Sequence, residues 1–415
     1  MQRKYKMAWA WGTTTANTKT TEVAQETAIL EEPHVELFDP HSGEWLLNKF
    51  ETYNQLRQHE TAYWSRKYQM YIITRYDDVM FALNNPEIFS SAEGNLIVED
   101  PVRFGKTLGA SDNPFHDTLK NIVKNAYSKD NIDRIADAFA ERCKELIKPN
   151  DNLNISEIIE DLSATVTAEI INPPSKKEEL KQYVKHIQKF HTGAVKYNTD
   201  DTGYNMFVDL LMSMAVTLRL PSGGPGIYNE FINSNPEKIH LISIFVGPAI
   251  SGASSLTGAL EILTLDLFRE NKLDIILADR SLIPNLINES LRFHASTGRF
   301  SRTVTQQVTL HGVVLEPGTR VALCLESANR DPAMFPDPDK FLLGRNTNGQ
   351  VAFGYGVHAC VALAIAKKLM QVWVEQLLDL YGKYRVITEN KDLEYIITAS
   401  GNDDMIANIH LSTDK

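Results

Sequence analysis

The chain carries the stretch Phe353-Gly-Tyr-Gly-Val-His-Ala-Cys360 directly before an apolar pattern of helical spacing that runs to about Leu380. Two glycines in three residues permit backbone angles that other residues resist, so the stretch predicts a tightly folded loop. Because the loop opens a helix, Cys360 is expected near unpaired N–H groups and the positive end of the helix dipole. Both effects favour the thiolate over the thiol.

A cysteine in such a loop supports two interpretations. A lone cysteine is commonly an inert buried side chain. A thiolate held in a glycine loop is instead a strong axial ligand for haem iron, and its electron donation favours O–O cleavage. The other cysteines, Cys143 and Cys324, have no such loop, and the three are too far apart for a paired zinc site or a disulfide framework. Cys360 is therefore the candidate metal ligand.

Further motifs extend the pattern outward from this loop. The loop has the form F-G-x-G-x-H-x-C, and Glu289-Ser-Leu-Arg292 has the form E-x-x-R. Ala328-Asn-Arg-Asp-Pro332 follows, and Arg345 comes after a segment rich in Pro and Asp. In identity, order and spacing these motifs resemble the cytochrome P450 family. The resemblance extends roughly from Glu32 to the C-terminus.

The resemblance implies a fold and a cofactor. The fold would be mainly α with a smaller β region, a triangular prism with haem between a long central helix and the helix after the cysteine loop. The cofactor would be haem b, iron protoporphyrin IX, with the Cys360 thiolate on the iron. Phe353, Gly354 and Gly356 would belong to the loop that holds it.

Glu289 and Arg292 are expected to form an ionic network that acts as scaffold. At positions i and i+3 they share a helix face. Arg345 can join them with its planar guanidinium fork. In the family this network holds the segment beneath the haem. The alternative is a plain solvated helix pair.

The two haem propionates need cations or hydrogen-bond donors near them. His116 and Lys120, one helical turn apart, stand where the family usually shows H-x-x-x-R. The lysine keeps the charge but loses bidentate geometry. Arg302 and His358 match two further propionate contacts of the family. The alternative for each residue is an ordinary surface group.

The central helix departs from the family pattern. The family usually has A-G-x-D/E-T, whose acid and threonine organise water and deliver protons, whereas this chain has Gly247-Pro-Ala-Ile-Ser-Gly-Ala-Ser-Ser-Leu-Thr257. Ser254 or Ser255 is expected to replace the threonine hydroxyl, with no Asp or Glu beside it. Protons would then come through water or a substrate group, or the enzyme would use peroxide, or its reaction would need less protonation. The alternative is that both serines bond back to the i−4 carbonyls.

The composition limits the class of protein. The chain has 415 residues, is 43% hydrophobic and carries a formal net charge of −11, which suits a globular enzyme and makes it a poor nucleic-acid binder. No uncharged apolar run approaches a membrane span, so no anchor is expected. Residues 1–30 are expected to be a flexible tail, residues 31–415 a single cytochrome P450 domain, and the location cytoplasmic. A cleavable targeting segment at the N-terminus is the alternative.

Hydrophobic spacing predicts where the main elements lie. The central helix, from about Glu237 to Phe268, contains Gly247, Pro248 and Gly252, which predict a distortion. The other predicted elements are a strand at 70–74, helices at 77–84, at 116–147 with a break near Ser128, at 155–171 and at about 360–380, and strands between 304 and 325.

The expected reaction inserts one oxygen atom of O2 into a small or medium organic molecule, by hydroxylation, O-dealkylation or epoxidation, as in secondary metabolism. The alternatives are a peroxide-using or oxidative-coupling relative and, in another class, a haem-thiolate ligand-binding protein without turnover. The candidate residues of the substrate pocket are Phe104, Val246, Ala249, Ile250, Thr297 and Phe300.

Electrons are expected from an external ferredoxin or flavodoxin with its reductase, because no flavin or iron–sulfur domain is recognisable in the sequence. A basic patch on an acidic protein suits an acidic electron donor. The candidate residues of this patch are Lys120, Lys124, Lys367 and Lys368, and the alternative is that they are ordinary solvated lysines.

Overall fold

The computed structural model describes residues 36–99, 104–148, 152–173, 177–191, 226–233, 247–268, 272–381, 384–386, 394–397, 404–407 and 409–413. The predicted boundary near residue 30 falls outside these residues and stays a prediction. Helices dominate the described part. They are α1 (Gly43–Gln58), α2 (Tyr76–Asn84), α3 (Phe115–Val123), α4 (Lys129–Leu146), α5 (Ile155–Ile171), α6 (Lys177–His191), α7 (Ile227–Asn233), α8 (Ala253–Phe268), α9 (Lys272–Ala278), α10 (Ile283–Phe293), α11 (Leu325–Ala328) and α12 (Leu363–Tyr381).

Local sequence signals set several of these boundaries. The break predicted near Ser128 is confirmed, because a 3-10 turn at Lys124–Tyr127 separates α3 from α4 and Ser128 is extended. The predicted helix over 155–171 is also confirmed as α5. Its first turn is capped by the Asn154 side chain, and it ends at Asn172 in the left-handed conformation that asparagine tolerates.

The strands form a smaller region. The described strands are β1 (Tyr63–Ser65), β2 (Met70–Ile73), β3 (Phe89–Ser90), β4 (Asn152–Asn154), β5 (Arg299–Val304), β6 (Val308–Leu310), β7 (Val313–Leu315), β8 (Arg320–Cys324), β9 (Tyr384–Val386), β10 (Glu394–Ile397), β11 (Asp404–Ala407) and β12 (His410–Thr413). The main sheet has five strands in the order β1-β2-β8-β5-β3. Strand β2 pairs in parallel with β8, and the other neighbours in this sheet are antiparallel.

The predicted distortion of the central helix is confirmed. A π-helical turn at Gly247–Gly252 leads into α8. Pro248 brings no N–H to the helical ladder and the glycines add backbone freedom, so a widened turn is favoured at this point. The part of the predicted helix before residue 247 lies outside the described residues. No helix within the described ranges has the length and apolar character needed to cross a membrane.

The core surrounds α8, which is buried along almost its whole length. Polar side chains join this helix to its neighbours. Trp373 of α12, fully buried, donates its indole N–H to the Thr264 hydroxyl at 2.9 Å. On another side, the Thr257 hydroxyl donates to that of Ser163 in α5 at 2.9 Å. These contacts fix the central helix between α5 and α12, and the cysteine loop immediately precedes α12.

Candidate functional site

A cavity of about 320 Å³ lies between the central helix and the cysteine loop. Its walls come from α3 with the following turn, α5, the central helix, the segment entering β5, and the loop itself. The lining residues include His116, Val123, Tyr127, Val166, Thr167, Ile170, Ser251, Gly252, Ser255, Leu256, Ala259, Ser296, Thr297, Phe300, Arg302, Phe353, Gly354, His358 and Cys360.

The cysteine loop is folded as its glycines predict. Gly354 and Gly356 have φ values of 67° and 71°, in the left-handed region that favours glycine. A Cβ added to Gly356 would lie 2.8 Å from the carbonyl oxygen of Leu83, so this glycine also allows a close approach to α2. The backbone N–H of Cys360 donates to the Phe353 carbonyl at 2.9 Å. This bond closes the loop and brings the cysteine to the cavity.

Cys360 lines the cavity, and its side chain is accessible there although many protein atoms lie near its sulfur. Burial raises the pKa of its thiol, while a hydrogen bond with the Ala362 backbone lowers it. A backbone donor near the helix start therefore favours the thiolate as expected, but burial outweighs it. The physical reason is that α12 begins only at Leu363, so the cost of burying a charge outweighs the donors that reach the sulfur. A cation at the sulfur would reverse that balance.

The other cysteines have different surroundings. Cys143 of α4 and Cys324 of β8 are fully buried, and neither lines the cavity. Burial raises the pKa of Cys324 to about 12 and that of Cys143 further. Both behave as small hydrophobic residues.

Imidazole and guanidinium groups gather at one side of the cavity. The ring centroids of His116 and His358 are 4.5 Å apart, edge to face. Arg302 is 5% exposed, and its guanidinium donates to the Ser301 carbonyl at 2.7 Å. Burial lowers the pKa of Arg302 to about 10, and burial together with the charges of Arg302, His116 and Lys120 lowers that of His358 to about 3.

These imidazole and guanidinium groups could bind two carboxylates, because they can donate hydrogen bonds and Arg302 is positively charged. The described residues lining the cavity include no Asp or Glu. Asp112, which acts electrostatically on Arg302, is engaged by the Ser91 backbone N–H at 2.9 Å. Lys120 does not line the cavity, because its ammonium donates to the Val357 carbonyl at 2.7 Å and so supports the cysteine loop. His116, Arg302 and His358 therefore fit the propionates of a haem directly, and Lys120 fits them through its charge.

The central helix presents one of its two candidate serines to the cavity. The hydroxyls of Ser255 and Thr297 are 2.8 Å apart, and both residues line the cavity. Ser254 is fully buried away from it, and its hydroxyl has no hydrogen-bond partner among the described residues. Of the two serines expected to replace the threonine hydroxyl, Ser255 is therefore the one that lines the cavity, whereas Ser254 does not.

Some of the other residues predicted to line the substrate pocket do line the cavity, and others do not. Thr297 and Phe300 line the cavity. Phe104 does not, since it lies in a turn where 38% of its surface is exposed. Val246 lies outside the described residues, as do the side chains of Ala249 and Ile250 in the π-helical turn.

Some lining residues escaped the sequence analysis. Ser251 precedes Ser255 by four residues, and this spacing places both on one helix face, which was a usable signal. Tyr127 and Thr167 reach the cavity from the turn after α3 and from α5. No local pattern marks them, because their position depends on tertiary packing.

The structure contains the predicted ionic network of Glu289, Arg292 and Arg345. Arg292 donates through two nitrogens to the Glu289 carboxylate, each at 2.8 Å, and both side chains are almost fully buried. Arg345 reaches the same carboxylate at 3.0 Å. Arg292 also donates to the Asn329 carbonyl at 2.9 Å and to the Pro338 carbonyl at 3.0 Å. The carboxylate thus ties α10 to the segment that leads toward the cysteine loop.

The chain is similar to known proteins in sequence and in fold. Residues 274–392 match the family model described as "Cytochrome P450". The chain is 25% identical over 400 residues to pulcherriminic acid synthase of Bacillus subtilis (87% of this chain, 94% of that protein). It is 24% identical over 348 residues to steroid C26-monooxygenase of Mycolicibacterium smegmatis (79% and 84%). The structure matches that of the bacillaene polyketide synthase cytochrome P450 PksS of Bacillus subtilis 168 with a TM-score of 0.80 at 18% identity (91% of this chain, 100% of that one). The predicted fold class, mainly α with a smaller β region, is confirmed.

Proposed function

The chain belongs to the cytochrome P450 family of haem-b monooxygenases, and we propose that it inserts one oxygen atom of O2 into a small or medium natural product. The observation that carries the proposal is that one cavity brings together Cys360, a group of basic side chains and a pair of hydroxyls. The basic side chains are those of His116, Arg302 and His358, and the hydroxyls are those of Ser255 and Thr297.

In this proposal Cys360 holds the haem iron, and His116, Arg302 and His358 hold the propionates. Thiolate-ligated haem supplies the oxygen-activating chemistry when it is bound. Two carboxylates bound there would oppose the charges of Arg302 and Lys120, which help to lower the pKa of His358. Phe353 and Gly354 also line the cavity and would pack against the ring.

Proton supply is assigned to hydroxyls because the lining residues within the described ranges include no acid. A hydroxyl both donates and accepts a hydrogen bond, so the Ser255–Thr297 pair can pass a proton from water toward the reacting atoms. The widened turn at Gly247–Gly252 lies beside this pair, and carbonyls freed in such a turn can hold an ordered water.

The same observation favours a second candidate reaction. Because the described residues lining the cavity include no acid, oxidative coupling or peroxide-driven oxidation is favoured over a reaction that depends on efficient proton delivery. Product formed per NADH with a ferredoxin system, set against turnover driven by added hydrogen peroxide, separates the two. A protein that binds azoles and carbon monoxide but oxidises nothing under either condition would instead belong to the ligand-binding class.

The electron donor is proposed to be an external ferredoxin or flavodoxin that docks beside the cysteine loop. Tyr355 of the loop is 49% exposed, and Leu363 at the start of α12 is 40% exposed. Lys124, which directly follows α3, is also exposed. Lys367 contributes less than the sequence predicts, because it donates to Asn288 at 2.8 Å and burial lowers its pKa. The proposed docking surface is therefore a mixed apolar and basic one.

A screen for the haem spin-state shift tests the proposed function. Natural products that displace water from the haem pocket change the absorbance of the ferric protein, and binding compounds are then tested for NADH-dependent oxidation. The relatives' names direct the first compounds to those of pulcherriminic acid synthesis and to steroids. A compound that shifts the spin state and gains one oxygen atom supports the proposal, and the absence of thiolate-type haem from the purified protein contradicts it.

A further inference from the structure

A buried ionic cluster lies behind the part of the cavity lining formed by residues 296–302, which lead into β5 and are called the β5 wall below. The Glu326 carboxylate accepts hydrogen bonds from the Lys49 ammonium at 2.6 Å and the Tyr53 hydroxyl at 2.8 Å. It also lies 3.3 Å from the Arg299 guanidinium, which is 5.0 Å from the ring of Trp45. Lys49 is 9% exposed and the other three members of the cluster are 1% exposed or less. One carboxylate thus ties α1 to β5.

The cluster and the cavity occupy opposite faces of the same strand. Successive side chains of a strand point to opposite faces. Phe300 and Arg302 line the cavity, whereas Arg299 is fully buried on the other side. Because one backbone carries all three residues, a change in the position of Arg299 moves Phe300 as well.

Gly298 brings Glu326 directly against the backbone of this wall. A Cβ added to Gly298 would lie 2.5 Å from the Glu326 carboxyl carbon, so only glycine allows this approach. The Glu326 backbone N–H also donates to the Gly298 carbonyl at 3.1 Å. The preceding residue is Thr297, which lines the cavity and bonds to Ser255 at 2.8 Å.

Stability alone is a weak explanation for such a cluster, because the desolvation of buried ions commonly offsets their mutual attraction. We infer that Glu326 is a positioning residue that fixes Thr297 and Phe300 and thereby sets the shape of the substrate cavity. The inference rests on the proposed function, since the haem site defines which side of this wall the substrate meets.

Two azole ligands of different size test this role in the ferric holoenzyme. Imidazole needs little of the cavity, whereas 4-phenylimidazole also needs room for its phenyl ring. Their dissociation constants are measured by absorbance titration for the native protein, Glu326→Gln, Tyr53→Phe and the control Glu316→Gln. The exposed Glu316 side chain accepts a hydrogen bond from Gln307 at 2.7 Å and belongs to neither the cluster nor the cavity wall within the described residues, so Glu316→Gln makes the same chemical change at a distant position.

The expected result is selective. In Glu326→Gln the dissociation constant of 4-phenylimidazole rises about tenfold relative to that of imidazole, as for the loss of one charged hydrogen bond. Tyr53→Phe, which removes one hydroxyl and no charge, gives a smaller change in the same direction and decides the test if Glu326→Gln is recovered without haem. Glu316→Gln leaves the ratio unchanged.

An unchanged ratio in the folded cluster variants overturns the inference alone. Equal weakening of both azoles together with a lower melting temperature also overturns it, because that pattern belongs to general destabilisation. A native protein that gives no haem shift with either azole overturns the proposed function, and the inference with it.

Discussion

The ring centroids of His116 and His358 lie 4.5 Å apart and the rings meet edge to face, although one residue belongs to α3 and the other to the cysteine loop. The charges of Arg302 and Lys120 act on the same rings and help to lower the pKa of His358. Four basic groups therefore converge where the described residues lining the cavity bring no carboxylate. Haem propionates would supply negative charge on the cavity side, in addition to the Asp117 carboxylate, which lies 3.3 Å from the His116 ring outside the cavity.

Arg302→Met should release haem about tenfold faster than the native protein, because a buried hydrogen bond to a charged group contributes roughly 1.5–3 kcal/mol. The measurement is the rate of haem transfer to excess apomyoglobin. Arg280→Met is the control, since Arg280 pairs with Asp379 at the exposed surface. Equal transfer rates for the two variants would remove Arg302 from the propionate site.

Glu289→Ala should give protein that is poorly folded or free of haem. The change leaves the Arg292 guanidinium buried without its carboxylate, which costs about 3–5 kcal/mol, a large share of a typical stability of about 5–15 kcal/mol. Haem content per polypeptide and the melting temperature measure the effect, with Glu316→Ala as the exposed control. Stable holoenzyme at normal yield would show that the network is not central.

Ser255→Ala should uncouple NADH consumption from product formation, whereas Ser254→Ala should not. Only the Ser255 hydroxyl lines the cavity and bonds to Thr297, and a positioned proton donor typically contributes about 10²–10⁴-fold. The measurement is product per NADH with a substrate from the spin-state screen, with peroxide titrated alongside the substrate dissociation constant. If coupling holds while affinity collapses, Ser255 is cavity wall and the relay runs elsewhere.

Gly356→Ala should weaken haem binding by distorting the cysteine loop. The left-handed backbone costs a residue with a side chain about 1–2 kcal/mol, and the new Cβ would also meet the Leu83 carbonyl at 2.8 Å. Gly344→Ala is the control, because nothing lies within 4 Å of its added Cβ and its φ is not positive. Similar haem content in both variants would mean that the loop tolerates a changed path.

The sequence was most informative where chemistry depends on neighbours along the chain. The cysteine loop needs glycine at Gly354 and Gly356, and both have the left-handed angles that this residue type predicts. The distortion at Gly247–Gly252 followed from a proline and two glycines inside a helical pattern. These features are local, so the residues that cause them lie inside the segment they shape.

The predictions that were wrong concern directions and distances in space. Helical spacing could not tell which of Ser254 and Ser255 faces the cavity, because their directions depend on how α8 is rotated against its neighbours. The sequence also could not place Phe104 at the surface, or weigh burial against the backbone donors at Cys360. The cluster around Glu326 joins residues more than 270 positions apart, and no local pattern marks it.

The central claim is that the Cys360 sulfur is the ligand of the haem iron. The measurement that tests it most directly is the carbon monoxide difference spectrum of the reduced protein, compared among Cys360→Ala, Cys143→Ala and Cys324→Ala. The account predicts a thiolate-type spectrum in the native protein and in the variants of the two buried cysteines, and its complete loss in Cys360→Ala. A thiolate-type spectrum that persists in Cys360→Ala would contradict the account.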